Sequence, residues 1–145
     1  DPQAFHDPAV ALAARDLAVV LAGLPGPDTD FIYDALANRL GADGVDVLYE
    51  IVRTRGGSKA SSRALDLLKQ PAVLARATPA VRVTYDFGQA ACLDKLTLLD
   101  RATADGDVRT LMAMELAARN CFRQNQPLDD AIRTLRARLT AHPAP

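Results

Sequence analysis

The sequence predicts an all-α protein of about eight short helices packed as antiparallel hairpins. Three observations support this class. Hydrophobic residues make up 49% of the 145 positions, apolar residues recur every three or four positions, and glycine or proline turns separate these stretches. Short connections favour antiparallel neighbours. Two arrangements fit, a HEAT-like α-solenoid and a compact right-stacked helical array.

Caps and turns divide the first half of the chain into four helices. Asp7 followed by Pro8 predicts a helix start, because aspartate caps the first free amides and proline fits the first helical position. Glycines predict helix ends, and Asp43 and Ser58 are the expected N-caps of the third and fourth helices. The expected helices run from Pro8 to Ala22, from Asp28 or Thr29 to Gly41, from Asp43 to Gly56 and from Ser58 to Leu68, with a short turn from Pro71 to Arg76.

The segment from Val81 to Phe87 fits two patterns. Its apolar residues alternate with polar ones, as in a strand, but they also share a helical face, and Thr78-Pro79 is a typical helix start. No other stretch of the sequence alternates, so a strand here would lack a partner for its backbone hydrogen bonds. A fifth helix that ends at Gly88 is therefore expected.

Three further helices are expected in the second half. The sixth carries Cys92, Leu96 and Leu99 on one stripe. The seventh runs from Asp107, its expected N-cap, to Asn120. The eighth starts at Pro127 and carries Leu128, Ile132, Leu135 and Leu139. Met112 and Met114 are expected to pack in the core. A faint internal repeat relates residues 45–67 to residues 94–116 at an offset of about 49 residues, close to the roughly 40–47 residues of HEAT units. This offset favours stacked hairpins over a plain bundle.

Length and charge favour one soluble domain over residues 1–145, with flexible tails at 1–6 and 142–145, taken from a larger protein. The formal net charge is −1, which argues against a general nucleic-acid binder. The longest apolar stretch contains Arg15 and Asp16 at its centre, which a membrane span tolerates badly. Membrane attachment is therefore expected only through an anchor segment outside this sequence.

The sequence offers no catalytic constellation, and neither enzyme activity nor a cofactor is expected. Its two histidines, His6 and His142, lie near the termini, where a general base is not held against a nucleophile. Two cysteines without a nearby histidine supply too few ligands for a metal ion. Three acidic pairs flank helix starts, where carboxylates stabilise the helix dipole. These pairs are Asp28/Asp30, Asp105/Asp107 and Asp129/Asp130.

Four short runs and two cysteines form a recognisable set. They are Asp46-Val47-Leu48-Tyr49-Glu50, Arg63-Ala64-Leu65-Asp66-Leu67-Leu68, Thr78-Pro79-Ala80-Val81-Arg82-Val83, Gly106-Asp107-Val108-Arg109, Cys92 and Cys121. Together they resemble the HEAT-like helical region found C-terminal to the catalytic domain in some membrane-anchored bacterial serine/threonine protein kinases. The resemblance covers nearly the whole chain and implies a sensing or docking module without catalytic residues.

Cys92 and Cys121 have two interpretations. They lie near the start and the end of a hairpin formed by the sixth and seventh helices, so antiparallel packing would place them within disulfide reach. The bond would close a loop of about 30 residues and contribute roughly 3–4 kcal/mol. The alternative is that Cys92 is a free thiol on a buried apolar stripe. A disulfide favours the extracytoplasmic side of a membrane-anchored protein, and free thiols favour the cytoplasm.

Basic residues form two candidate binding clusters. Arg53, Arg55, Lys59 and Arg63 surround the Gly56-Gly57 turn, and Arg119, Arg123, Arg133, Arg136 and Arg138 lie in the C-terminal third. An acidic or phosphorylated protein or peptide is the expected partner. The sequence has no tryptophan to stack a base, so no nucleic acid is expected.

These observations favour a non-catalytic protein-interaction or sensor domain of a larger bacterial, kinase-like protein, binding through a helical-repeat surface. The alternative is a structural module or a homodimerisation module. A third hypothesis is a HEAT-like nucleic-acid-binding protein of the DNA-glycosylase type, which requires stacking aromatic residues and a positive groove.

Overall fold

The computed structural model describes residues 7–142 of the chain, and these residues fold into helices joined by turns. No β-strand occurs among them, so the predicted all-α class is confirmed. The stretch from Val81 to Phe87 is helical, as expected. Val83 and Phe87 are buried, which agrees with a helical face directed at the core. A solenoid of stacked repeats stays a prediction.

The chain divides into two compact units, one up to Thr78 and one from Pro79 onward. In the first unit, α1 spans Pro8–Leu21, α2 Pro27–Asp34, α3 Gly41–Thr54, α4 Lys59–Leu68 and α5 Pro71–Leu74, with a π-helical turn at Ala35–Arg39. In the second unit, α6 spans Pro79–Gln89, α7 Cys92–Lys95, α8 Leu99–Asp105, α9 Val108–Asn120 and α10 Gln126–Ala141, with a 3-10 turn at Leu96–Leu98. A single domain over residues 1–145 stays a prediction.

The first unit is built around α3. This helix packs against α1, α4 and the π-helical turn, and its inward residues Val45, Leu48 and Ile51 are fully buried. Gly44 permits the close approach of the π-helical turn, because a Cβ atom there would lie 2.5 Å from the carbonyl oxygen of Leu36. The core of this unit therefore requires glycine at one position of α3.

Two buried hydroxyl groups fasten α2 to α1. The Thr29 hydroxyl lies 2.9 Å from the carbonyl oxygens of both Leu21 and Leu24. The Tyr33 hydroxyl donates to the carbonyl oxygen of Ala18 at 3.1 Å. Among the residues of α1 itself, Ala18 alone is fully buried. The rest of this apolar helix keeps much of its surface accessible.

The predicted caps of α1 and α4 are confirmed, whereas α2 begins at Pro27, just before the expected start. The side chains of Asp7 and Ser58 accept backbone N–H groups at the starts of α1 and α4, at 2.8 and 3.0 Å respectively. The prediction that Asp43 caps the third helix is wrong, since α3 begins at Gly41 and Asp43 lies inside its first turn. Gly41 has a φ of +64°, in the left-handed region that glycine adopts without steric cost. This conformation lets α3 start close after the π-helical turn.

The second unit packs α6, α8, α9 and α10 around one hydrophobic core. The buried residues of this core are Val83, Phe87, Leu99, Ala102, Met114, Ala117, Leu128, Ile132 and Leu135. Arg138 near the end of α10 donates to the carbonyl oxygen of Thr103 near the end of α8 at 3.0 Å. All of α8 and the N-terminal half of α10 line a common groove. With the contact of Arg138 near the ends of both helices, this places α8 and α10 parallel.

The turn from α8 to α9 requires glycine. A Cβ atom on Gly106 would lie 2.3 Å from the carbonyl oxygen of Ala102 and 2.7 Å from the side chain of Thr110. Asp107 caps α9 as predicted and accepts the N–H of Arg109 at 2.8 Å. The Thr110 hydroxyl accepts the N–H of Asp107 at 3.0 Å, which completes a reciprocal capping box.

The predicted sixth helix is divided in the structure. α7 ends at Lys95, and the 3-10 turn at Leu96–Leu98 joins it to α8. Leu99 is buried as expected, but Cys92 is exposed, so its placement on a buried stripe is wrong. A 3-10 turn holds about 3.0 residues per turn against 3.6 in an α-helix. The 3-10 turn therefore rotates the residues of α7, Cys92 among them, away from the face on which a continuous α-helix would place them.

Candidate functional site

The basic cluster at the turn from α3 to α4 is divided by ion pairs. Arg53 binds Glu50 at 2.8 Å. Arg63 binds Asp30, and its guanidinium carbon lies 5.1 Å from the centre of the Tyr33 ring. Arg63 thus holds α4 against α2. Arg55 and Lys59 remain exposed beside the turn.

The arginines of the C-terminal third also divide. Arg133 binds Asp130 and Arg136 binds Glu115, while Arg138 donates to the carbonyl oxygens of Thr103 and Gly106. Arg136 and Arg138 thus connect α10 to its neighbours, whereas the pair of Arg133 and Asp130 lies within α10. Arg119 and Arg123 are exposed, and no carboxylate of residues 7–142 lies within ion-pair distance of either. They are therefore the two arginines of this cluster whose charge no described carboxylate offsets.

A small cavity of about 250 Å³ lies beside the ring of Tyr33 in the first unit. Burial raises the pKa of the Tyr33 phenol above its usual value, against the opposing effect of the nearby Arg63 charge. Hydrogen bonds from Asn38 and Arg39 lower the pKa of the Asp34 carboxyl. Of the polar groups that line this cavity, Arg63 and Asp30 pair across α4 and α2, while Asp34 accepts from Asn38 in the adjoining π-helical turn.

Cys92 and Cys121 lie at disulfide distance. Their Sγ atoms are 2.07 Å apart and their Cα atoms 5.5 Å apart, so the structure joins the pair that the sequence singled out. Cys92 is the first residue of α7, and Cys121 is the C-cap of α9. The bond connects a four-residue helix without a buried residue to a well-packed one. The cellular location that a disulfide favours stays a prediction.

Lys95 caps the end of α6, a role that the sequence did not reveal. Its ammonium group donates to the carbonyl oxygens of Phe87 and of Ala90, the latter at 2.8 Å, and lies 5.1 Å from the centre of the Phe87 ring. Burial lowers the pKa of this amine. Since helix-end carbonyls carry partial negative charge, Lys95 fixes α7 to α6 next to the disulfide.

An exposed apolar stripe follows one face of α9. Val108, Met112 and Leu116 are four residues apart and keep 59%, 56% and 55% of their surface exposed. We call these three residues the α9 stripe. Residues four apart lie on the same side of a helix, so the stripe is continuous. The expectation that Met112 packs in the core is wrong, whereas Met114 is fully buried as predicted.

The α9 stripe has a rigid support and a charged end. The opposite face of α9 packs Thr110, Met114 and Ala117 in the core of the second unit. Arg119 is three residues beyond the last stripe residue, which places its exposed side chain on the same face. The stripe was missed in the sequence because α9 has apolar residues on both faces. Only the neighbouring helices decide which face is covered.

The described residues hold no metal-binding or membrane-spanning element. Across residues 7–142, no three histidine, cysteine, aspartate or glutamate side chains are placed to hold a metal ion together. No described helix has the length and apolar character needed to traverse a bilayer. His142 is exposed at the end of α10, and His6 lies outside the described residues.

The acidic pairs serve helix ends and ion pairs. Asp28 and Asp30 lie in the first turn of α2, Asp107 caps α9 and Asp129 lies in the first turn of α10. Asp130 accepts from Arg133 and from Gln126. The positions of Asp28, Asp30, Asp107 and Asp129 agree with the stabilising role that the sequence suggested for carboxylates near helix starts. Asp105 differs, because it is the last residue of α8.

Comparison of this chain with protein-family models, with curated protein sequences and with solved structures finds no match. Because no relative indicates a function, the evidence for one lies in the exposed surfaces of the described helices.

Proposed function

We propose that this chain is a non-catalytic protein-interaction domain that binds an amphipathic helix of a partner on the α9 stripe. The observation that carries the proposal is the row of three large, exposed apolar side chains on one helix face. Contiguous exposed apolar surface is typical of interaction sites. The resemblance to the helical region of membrane-anchored bacterial kinases supports the same role, as a docking or sensing module within a larger protein.

The α9 stripe has the properties of a helix-binding surface. Partner helices present apolar residues at spacings of three and four, which match the spacing of Val108, Met112 and Leu116. The capping box and the buried face hold α9 in place before binding, so little ordering entropy is lost. Met112 adds a flexible, polarizable side chain that adapts to different partners.

Arg119 sets the expected charge of the partner. It extends the stripe at its C-terminal end and has no ion pair within the described chain. A carboxylate or phosphate on the partner would pair with Arg119. Arg123, just beyond the end of α9, is a second exposed arginine near this end of the stripe. Such exposed pairs mainly increase specificity and association rate. The proposed partner is therefore an apolar helix with an acidic or phosphorylated residue near one end.

Peptide display tests this proposal. Random helical peptides of about four turns are selected on the full chain and then measured individually by fluorescence anisotropy. The enriched peptides should carry apolar residues at helical spacing and a carboxylate. They should bind a Leu116→Asp variant at least about tenfold more weakly, since a buried charge in the contact costs more than 1.4 kcal/mol.

The matched control is Leu93→Asp, which places the same charge at a more exposed apolar position of α7, at 75% exposure. This variant should bind the selected peptides like the wild type. Selected peptides that bind Leu116→Asp and the wild type equally well would contradict the assignment of the α9 stripe.

Self-association through α1 is a second candidate function. This helix buries only Ala18, while Leu17 and Val20 are exposed on it. A structural or homodimerisation module would cover such a face with a second copy. Light scattering on the full chain should then report a dimer that Val20→Asp converts to a monomer and that Leu93→Asp leaves unchanged. A wild-type monomer at high concentration would remove this candidate.

A further inference from the structure

A second surface of the second unit lies between α8 and the N-terminal half of α10. These parallel helices leave a groove of about 570 Å³, within the roughly 300–1,000 Å³ of ligand sites. Leu96, Leu99 and Ala131 form its apolar wall, and the exposed Ala104 lies on its rim. The groove is therefore open along one side, a shape suited to a peptide segment.

The charged side chains that line this groove are acidic. Asp100 and Asp130 both face it, and its described lining contains no lysine or arginine. Asp130 is paired with Arg133 on α10. Asp100 is exposed on α8 and forms neither a hydrogen bond nor an ion pair with residues 7–142. The groove thus combines apolar surface with one carboxylate that the fold does not use.

Helix capping does not account for Asp100. The 3-10 turn at Leu96–Leu98 leads directly into α8, so the first amides of α8 follow residues that are already helical and are not the free donors of a helix end. Asp107, by contrast, follows a turn and accepts the amides at the true start of α9. A carboxylate beside apolar surface, without a capping role, is available to a cationic ligand.

We propose that this groove binds a segment of a partner protein in which a lysine or arginine is next to a large apolar side chain. The apolar side chain would contact Leu96, Leu99 and Ala131, and the cation would pair with Asp100. Opposite charges beside an apolar contact select the correct partner and exclude segments with glutamate or aspartate. This preference is opposite to that of the α9 stripe, so the two surfaces bind different segments.

Two synthetic peptides test the charge preference. Both are amphipathic helices with a central leucine, and they differ only in having lysine or glutamate beside it. Fluorescence anisotropy with the full chain should show the lysine peptide binding at least about tenfold more tightly than the glutamate peptide. Equal affinities, or a preference for the glutamate peptide, would overturn the proposal.

Two pairs of variants locate the binding. Asp100→Lys reverses the charge of the groove and should weaken the lysine peptide at least about tenfold, whereas Asp94→Lys makes the same change on α7 and should leave binding unchanged. Ala104→Phe places a ring at the rim of the groove and should also weaken binding of the lysine peptide. Ala137→Phe adds the same ring to an exposed site of α10 outside the groove and should leave binding unchanged. All four positions are exposed, and circular dichroism checks that the helices persist. If Asp100→Lys and Ala104→Phe bind the lysine peptide like the wild type, the groove is not its site.

Discussion

Removal of the disulfide tests how much of the second unit depends on a covalent connection. Cys92 and Cys121 are 29 positions apart in the sequence, and in the chain-entropy model closure of a loop of about 30 residues stabilises the folded state by roughly 3.6 kcal/mol. The double variant Cys92→Ser/Cys121→Ser should lose about this free energy of unfolding. Because Cys92 is exposed, the serine substitution there removes little packing, and the loss is mainly that of the cross-link.

Urea unfolding followed by far-ultraviolet circular dichroism measures this loss. With a slope of about 1–3 kcal/mol per molar urea, the midpoint should fall by at least about 1 M. Wild-type protein in a thiol-free reductant should show the same midpoint as the double variant, and the double variant should not respond to the reductant. A loss of less than about 1 kcal/mol in the free energy of unfolding would contradict the reasoning. It would mean that Lys95 and the apolar contacts of the 3-10 turn hold α7 in place without the disulfide.

Three further predictions concern single side chains. Gly106→Ala should lower the free energy of unfolding by about 1–3 kcal/mol in a urea titration. The reason is that the new Cβ would lie 2.3 Å from the Ala102 carbonyl oxygen. An unchanged midpoint would contradict this. Thr110→Val should cost about 1–2 kcal/mol, as it removes the side-chain half of the capping box and the 2.6 Å contact with the Thr84 hydroxyl. Burial raises the pKa of Tyr33 above 10.0, so the protonated phenol favours the folded state. Its contribution is complete below that pH and is lost as the pH rises through the folded-state pKa. Thermal melts above pH 10 should therefore show a steeper loss of stability with pH for wild type than for Tyr33→Phe, and equal slopes would contradict this.

Local signals predicted much of the helical framework. Asp7, Ser58 and Asp107 were assigned as caps from sequence, and each accepts backbone amides in the structure. Such contacts involve side chains and amides two or three positions apart, so they need no knowledge of distant residues. The helix at 79–89 was also predictable, because no second strand was present to pair with it.

Features that depend on neighbouring helices were not predictable. Met112 and Met114 have the same chemistry, yet one is more than half exposed and the other fully buried. Which face of α9 is covered depends on where α6 and α10 pack. In the same way, the sequence placed Asp43 at a helix start but did not reveal the π-helical turn that moves the start of α3 to Gly41. The arginine clusters were visible, but their division into paired and unpaired side chains depends on distant carboxylates.

The two proposed surfaces of the second unit lead to a joint prediction. The α9 stripe lies on α9 and ends at a cation, whereas the groove lies between α8 and α10 and carries a free carboxylate. If they are independent sites, Leu116→Asp should weaken only the selected acidic peptides, and Asp100→Lys should weaken only the lysine peptide. Substitutions at separate sites without shared partners add their effects within about 0.3–0.5 kcal/mol, so the double variant should show each single loss unchanged. Anisotropy with the two peptides on the same four proteins decides the matter. A variant that weakens both peptides alike would mean that the two sequences compete for one surface.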